Sequence, residues 1–278
     1  MTRTTYSGAT GRHDGEPTEA VVENFTPEHA PRIGTRVLIP LTVSVGGGSL
    51  VLFAYFLLFG SPVLIGIAHS HAARLTWDSI LCLVFFLQHS GMVRRSVRER
   101  LGARVAMTYY PAIYSVASGI ALLAVILLWQ PTDHFLFRLH GPARWLSACL
   151  AGLAIAGFAW GVYALHGFDP FGTLPLKAHL RGAPAPSSSF VVGGPYRYIR
   201  HPLYFFMLLL IWSTPRLSTD QFLFNLLWTA WIVVATKLEE RDLLADFGQT
   251  YHRYQLAVPM LIPSFRFSIR QRQSGSAA

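Results

Sequence analysis

The chain has 278 residues, of which 52% are hydrophobic and only 13% are charged, and its formal net charge is +9. A soluble domain carries about 25% charged residues, so this composition excludes an ordinary soluble enzyme and indicates an integral membrane protein. The basic residues stand between apolar runs, as juxtamembrane anchors do, rather than on one face. Membrane lipids are therefore expected partners, and nucleic acid is not.

Apolar runs divide the chain. The first 35 residues are polar and predict a disordered tail rather than a signal peptide. Four runs then reach the length of about 20 residues that spans a bilayer, and a short fifth run and a marginal sixth run follow. They cover residues 37–60, 75–93, 108–130, 143–166, 203–214 and 221–236. Cys82 and Cys149 both fall inside such runs, which is typical of packed thiols.

We therefore predict an all-α integral membrane protein with about six transmembrane helices. The predicted regions are a tail over 1–35, a four-span region over 36–166, a functional core over 167–263 and a basic flexible tail over 264–278. The core is expected to combine a loop, a C-terminal helical hairpin and a cytoplasmic cofactor-binding segment. The hairpin turn falls at residues 215–220, where Ser218 and Gln221 fit a helix-start capping box.

The Lys and Arg residues predict the sidedness. From the N-terminal tail through the successive gaps to the C-terminus they number four, one, five, two, four, one and six. Positively charged loops stay in the cytoplasm. The alternation thus predicts that both termini are cytoplasmic, in the inner membrane if the protein is bacterial.

Four ionisable residues stand at the ends of the last two apolar runs. Arg200 and His201 precede the fifth run, and Glu239 and Glu240 follow the sixth. An antiparallel hairpin brings these ends together on the cytoplasmic side. Charged groups beside hydrocarbon are costly and are usually retained for function, so this corner is the predicted active site.

Helical spacing predicts which side chains face the acidic pair. Pro202 suits the first turn of a helix, and Tyr204 follows His201 at a spacing that places both on the face toward the acidic pair. The preceding gap, residues 167–199, is rich in Gly and Pro and can fold over the corner as a lid. The structural alternative is that Arg and Glu at span ends only anchor helices or pair with each other, and an exposed pair would then contribute little to stability.

These residues form a recognisable pattern. It resembles that of the isoprenylcysteine carboxyl methyltransferase superfamily of membrane methyltransferases. The residues that carry the resemblance are Gly194, Tyr196, Arg200, His201, Pro202, Tyr204, Glu239, Glu240, Leu243, Phe247, Gly248, Tyr251, Tyr254, Val258, Pro259, Ile262 and Pro263. Further motifs, at 88–94, 114–115, 129–131, 168–172 and 258–263, are similar to the bacterial methanethiol S-methyltransferase and NnrU-type branch.

The resemblance implies an S-adenosylmethionine site in the last hairpin and the C-terminal segment, with no metal. Arg200 and His201 would hold the methionine carboxylate or neighbouring backbone, and Glu239 and Glu240 the ribose hydroxyls or the ammonium. Tyr198 and Tyr204 would line the cofactor cleft, to which Gly194 and Pro202 also belong. Tyr196, His201 or a carboxylate could take the proton of a thiol substrate, because thiolate is the reactive form.

The resemblance to the methanethiol branch implies that the protein methylates the sulfur of a small thiol such as methanethiol, or of a lipophilic thiol. Three alternatives remain. The first is an isoprenylcysteine carboxyl O-methyltransferase, although that group usually places a basic residue where this chain has Ala257. The second is a membrane sterol-type NADPH reductase, which shares an Arg-His motif. The third is a non-enzymatic NnrU-like membrane protein. His89 is interpreted either as part of the branch motif or as a hydrogen-bonded core histidine.

Overall fold

The structure, a computed structural model, describes residues 32–62, 65–102, 106–165, 169–184, 190 and 192–263. Nine α-helices, a π-helical turn, a 3-10 turn and two short strands occur in this part of the chain. In chain order they are α1 (Arg32–Thr42), the π turn (Val43–Gly47), α2 (Gly48–Phe59), α3 (His71–Val93), α4 (Arg95–Gly102), α5 (Tyr110–Leu128), β1 (Phe135–Arg138), α6 (Gly141–Ala164), α7 (Thr173–Arg181), the 3-10 turn (Gly194–Arg197), α8 (Pro202–Trp212), β2 (Arg216–Ser218) and α9 (Thr219–Ala257).

The prediction of an all-α integral membrane protein is confirmed. Four helical stretches are long and apolar enough to cross a membrane: Gly34–Phe59, Tyr110–Leu128, Gly141–Ala164 and Thr219–Ala257. Outward-facing apolar side chains remain exposed, as lipid contact requires; Val51, Leu87 and Leu146 are examples. A soluble monomer rarely exposes so much contiguous apolar surface.

The count of six spans stays a prediction. The predicted second span lies within α3, which has 23 residues but carries Arg74 and a buried Asp78 in its first turns. The predicted fifth span is α8, whose 11 residues are too few to cross the hydrocarbon core unaided, where about 20 are needed.

Helix α9 corrects the predicted end of the sixth run. The helix continues past residue 236 through the acidic pair to Ala257, with non-helical dihedral angles at Gly248 (φ 52°, ψ −129°). The predicted turn at 215–220 is also partly wrong, because residues 216–218 form β2 and pair antiparallel with β1. The predicted capping box of Ser218 and Gln221 is confirmed.

The predicted tails mostly lie outside the described residues, which exclude 1–31 and 264–278. Since α1 begins at Arg32, the last residues of the predicted N-terminal tail are helical. Cys82 is packed in the core as expected, whereas Cys149 is exposed and corrects the expectation of two packed thiols.

Aromatic side chains fill the core between α2, α3, α5 and α9. The Trp228 ring stacks on Phe53, with ring centroids 4.9 Å apart, and on Phe85 at 5.5 Å. Trp129 and Phe86 are almost completely buried in the same cluster. Burial of this many aromatic rings fixes α3 and α9 side by side, and so fixes the level in the bundle at which the acidic pair of α9 lies.

Short helix α8 is held by close packing against α6. A Cβ atom added at Gly157 would lie 2.1 Å from the Phe206 ring, and one at Gly161 would lie 2.6 Å from Leu203. Small residues four positions apart allow two helices to approach closely inside a membrane. The two glycines therefore position α8, and with it the residues at its N-terminus.

Candidate active site

Glu240 is the centre of a buried polar cluster. Arg200 donates from Nε to Oε1 (2.6 Å) and from Nη2 to Oε2 (2.8 Å), which is the bidentate geometry of a strong charge-assisted pair. The His201 ring is hydrogen-bonded to Oε1 through Nε2 (2.9 Å). The Tyr251 hydroxyl donates to Oε1 (3.0 Å) and the Gln255 amide donates to Oε2 (2.8 Å). Five hydrogen bonds thus occupy the Glu240 carboxylate.

The position of Tyr251 reveals how α9 ends. In a straight helix, Tyr251 would lie about 16 Å along the axis beyond Glu240, yet the two side chains are hydrogen-bonded. The positive φ of Gly248 turns the chain back between them, a conformation that glycine adopts at low cost. The last part of α9 therefore folds over the acidic pair instead of continuing away from it.

Arg200 also secures the segment that follows α9. Its Nη1 donates to the carbonyl oxygens of Gln255 (2.8 Å) and Val258 (2.5 Å). Its backbone N–H donates to Pro259 (2.9 Å), and the His201 N–H donates to Met260 (3.1 Å). One arginine therefore joins the start of α8, the acidic pair and the C-terminal segment.

Glu239, the sequence neighbour of Glu240, has a different environment. Its Oε2 accepts a hydrogen bond from the Tyr204 hydroxyl (2.8 Å) and lies 3.8 Å from His201 Nδ1. The Glu239 side chain is 44% exposed, against 11% for Glu240. The rings of His201 and Tyr204 are stacked, with centroids 5.6 Å apart. The predicted common face of His201 and Tyr204 toward the acidic pair is thus confirmed.

The 3-10 turn before α8 forms the adjacent wall. Gly194 has φ 51°, and an added Cβ would lie 2.7 Å from Ala164 and 3.2 Å from Trp160 Nε1, so the turn fits closely against α6. Tyr198 is half exposed and its ring lies 6.5 Å from that of Trp160. These contacts hold Gly194 and Tyr198 against α6.

Tyr196 lies in the same turn and faces Glu239. Its carbonyl oxygen accepts a hydrogen bond from the Tyr254 hydroxyl (2.5 Å). Burial, reinforced by the nearby Glu239 carboxylate, raises the pKa of the Tyr196 phenol well above its ordinary value. The phenol therefore stays protonated near neutral pH and is suited to donate a hydrogen bond rather than to accept a proton.

The prediction that residues 167–199 form a lid is partly wrong, because α7 packs against α1 and α5, and Phe190 is the part that reaches the returned end of α9. Its ring packs on Phe247 (5.4 Å), Tyr251 (5.6 Å) and Tyr254 (5.4 Å), and so covers the returned part of α9. Residues 185–189 and 191 of this loop lie outside the described part of the chain. The contacts of Phe190 show that the loop reaches the corner.

Most of the predicted residues are thus brought together, with Pro202 buried at the first turn of α8. Sequence analysis assigned no role to Gln255 or to the carbonyl oxygens of residues 255–260. The spacing of Tyr251, Tyr254 and Gln255 could have revealed a helical face, but its contact with Glu240 depends on the turn at Gly248. Arg200 and Glu240 do pair with each other, as the structural alternative expects, and the pair is buried, with both side chains 11% exposed.

Comparison with known proteins adds independent information. The profile of the family described as NnrU protein matches residues 79–242. Methanethiol S-methyltransferase of Pseudomonas deceptionensis is 34% identical over 194 residues, covering 68% of this chain and 72% of the relative. Methanethiol S-methyltransferase 2 of Bradyrhizobium diazoefficiens is 33% identical over 207 residues, covering 73% and 76%. Methanethiol S-methyltransferase of a Pseudomonas species is 30% identical over 191 residues, covering 67% and 72%. No solved structure matches the chain.

Proposed function

The chain belongs to the NnrU family, and from this premise we propose that it transfers the methyl group of S-adenosylmethionine to the sulfur of a small thiol such as methanethiol. The observation that carries the proposal is the acidic pair of α9, which lies against the start of α8. Glu240 is saturated by Arg200 and its neighbours, whereas Glu239 keeps an exposed carboxylate. The names of the relatives supply the reaction class and the acceptor.

The side chains at and near Glu239 fit the proposed cofactor. S-adenosylmethionine carries an ammonium group and two ribose hydroxyls, which need hydrogen-bond acceptors, and a purine ring, which favours aromatic surfaces. Glu239 accepts one short hydrogen bond among the described residues, so its carboxylate has acceptor capacity left. Tyr198 and Trp160 offer aromatic surface beside Gly194. We assign the cofactor to this wall, with Glu239 as its principal polar contact.

Arg200 and Glu240 have a positioning role in this proposal. Their mutual pairing and the two carbonyl contacts of Arg200 keep the C-terminal segment against α8. His201 lies between the two acids, holds Glu240 through Nε2 and faces Glu239 through Nδ1. Tyr204 orients the Glu239 carboxylate, and Tyr196 stands ready as a hydrogen-bond donor.

The bound cofactor supplies a sulfonium methyl group that is already activated for displacement. The protein then has to hold the thiol sulfur in line with that methyl group and exclude water, and positioning of this kind can supply about 7–11 kcal/mol of the reduction in barrier. Phe190 and the returned end of α9 cover the acidic pair and help to exclude water from it.

Product analysis tests the proposal. Membranes that contain the protein, supplied with methanethiol and S-adenosylmethionine, should release dimethyl sulfide detectable by gas chromatography of the headspace. A Glu239→Gln variant should lower this activity at limiting S-adenosylmethionine, and Glu99→Gln should keep it, because Glu99 is exposed and pairs with Arg95. N-acetyl-farnesylcysteine should be a poor acceptor, since Ala257 replaces the usual basic residue. Methylation of the farnesylcysteine without any thioether would move the chain to the O-methyltransferase alternative.

Ligand titration separates the remaining alternatives. The purified protein should bind S-adenosylmethionine in a calorimeter and should not bind NADPH. Binding of NADPH alone would establish the reductase alternative. Binding of S-adenosylmethionine without turnover of any thiol would establish a non-enzymatic role.

We further propose that the acidic pair faces the cytoplasm, where S-adenosylmethionine is made, with both termini on that side of the inner membrane. The alternating Lys and Arg residues support this orientation. Reporter domains fused at Gly102 and Gly182 should both read as cytoplasmic, and one fused at His140 as exported. A common side for Gly182 and His140 would contradict the orientation.

A further inference from the structure

His89 on α3 has no role in the site described above, although it lies close to it. Its half-buried ring is 3.1 Å from the Tyr114 hydroxyl of α5, measured at either ring nitrogen. The other face of the ring stacks on Phe85, with centroids 5.2 Å apart. When the N–H of the neutral ring donates to the Tyr114 hydroxyl oxygen, the other nitrogen carries the lone pair and has no further partner among the described residues.

Contacts between α3 and α9 give the level of His89 in the bundle. Trp231 Nε1 donates to Ser90 Oγ (3.1 Å), and Arg94 Nη1 pairs with Asp242 Oδ2 (2.9 Å). Glu239 lies between positions 231 and 242 of α9. The neighbour of Ser90, His89, therefore lies about two helical turns or less deeper in the bundle than Glu239.

Hydroxyl groups connect the surroundings of Glu239 with those of His89. Tyr204 donates to Glu239 and lies within electrostatic range of Tyr114, which in turn contacts His89. Gln88, which precedes His89 on α3, has a buried Oε1 atom with no hydrogen-bond partner in the described structure. Its amide nitrogen contacts Met92 Sδ (3.1 Å). A buried unsatisfied acceptor on a side chain that contacts a sulfur atom suits a small S–H ligand.

The other candidate bases are already engaged. Both ring nitrogens of His201 face carboxylates, at 2.9 Å from Glu240 and 3.8 Å from Glu239. The Tyr196 phenol stays protonated. Glu239 is assigned to the methyl donor. Since alkanethiols are mostly protonated near neutral pH and thiolate is the reactive form, the reaction needs a proton acceptor that these residues do not supply.

We propose that His89 accepts the proton of the thiol, so that α3 and α5 form the acceptor half of the active site and α8 and α9 form the donor half. This inference rests on the proposed function. The S–H bond breaks as the proton passes to the free imidazole nitrogen. The thiolate electron pair forms the new S–C bond while the bond from the methyl carbon to the donor sulfur breaks. That sulfur keeps the electron pair and becomes a neutral thioether, and the proton leaves His89 for water.

Thiols of different acidity test the inference. His89→Gln should lower the rate with methanethiol by about 100-fold or more, the contribution of a general base. The same variant should methylate thiophenol at close to the wild-type rate, because thiophenol is largely ionised near neutral pH and needs no base. The acid limb of the pH–rate profile for methanethiol should disappear, while binding of S-adenosylmethionine stays unchanged. A His134→Gln variant, altered at the opposite end of the bundle, is the matched control.

The outcomes are distinct. Equal losses with both thiols, or no loss with either, would overturn the role of His89 while leaving the methyltransferase intact. A wild-type protein that methylates neither thiol would instead overturn the proposed function. A second variant, Tyr114→Phe, keeps the imidazole but removes its partner, and should reduce the methanethiol rate selectively by a smaller factor. Equal losses for both thiols in that variant would also overturn the inference.

Discussion

Two buried carboxylates lie twenty residues apart on α9, and they differ in their partners. Asp220, at the start of the helix, accepts hydrogen bonds from Trp129 Nε1 (3.0 Å) and from the backbone and hydroxyl of Thr132 (3.0 and 2.8 Å). Glu240 accepts from the cationic Arg200 as well as from neutral groups. The separation corresponds to about 30 Å of helix, which is the thickness of the hydrocarbon core.

The comparison shows that burial alone does not identify the functional acid. Each carboxylate joins α9 to distant parts of the chain, Asp220 to the segment after α5 and Glu240 to the start of α8. At the Glu240 end the second acid is its sequence neighbour Glu239, whose carboxylate remains exposed beside His201 and Tyr204. In our interpretation, the saturated acids maintain the architecture and Glu239 contacts the ligand.

Removal of the cation at the Glu240 end should have the largest effect. Arg200→Met leaves the Glu240 carboxylate buried without its charge partner, and we expect a loss of about 3–5 kcal/mol in the free energy of unfolding. Thermal unfolding in detergent measures it, and cofactor binding should fail as the C-terminal segment detaches. The double variant Arg200→Met with Glu240→Gln removes both charges and should recover part of the stability. If the double variant is no more stable than the single one, the pair is not the source of the loss.

Neutralisation of the exposed acid should affect ligand binding instead. We expect Glu239→Gln to weaken S-adenosylmethionine binding about tenfold to a hundredfold, the contribution of a charged hydrogen bond. The unfolding temperature should hardly change, because the side chain is 44% exposed. Asp242→Asn, on the same helix face but paired with Arg94, is the matched control. Unchanged cofactor affinity in Glu239→Gln would place the site elsewhere.

Neutralisation of Asp220, at the opposite end of α9, should affect stability only. Asp220→Asn replaces one acceptor oxygen by a donor that faces Trp129 or Thr132, and we expect a loss of about 1–2 kcal/mol in the free energy of unfolding. Cofactor affinity should match that of the wild type. A weakened affinity would show that the two ends of α9 are coupled.

Removal of one hydroxyl should give the smallest effect. Tyr204→Phe deletes the hydrogen bond to Glu239 and leaves the ring stacked on His201. We expect cofactor affinity to fall by about threefold, as for one moderate hydrogen bond. Titration calorimetry of the variant beside Glu239→Gln measures both. A larger loss in Tyr204→Phe than in Glu239→Gln would assign the ligand contact to the phenol.

The sequence alone determined much of the methyl-donor half of the active site, which α8 and α9 form. Its apolar runs predicted the long helices, and the charges at the run ends predicted that the Arg200-His201 pair meets the acidic pair. Helical spacing also placed His201 and Tyr204 on one face. These features follow from local periodicity, which the sequence displays directly.

Only the tertiary structure decided which acid is buried. Glu239 and Glu240 are adjacent in sequence, but consecutive residues project about 100° apart around a helix, and which direction faces Arg200 depends on how α9 packs. The return of Tyr251 to Glu240 depends on the turn at Gly248, and the contact between His89 and Tyr114 depends on the packing of α3 against α5. Such contacts join residues far apart in the chain, so no local pattern encodes them.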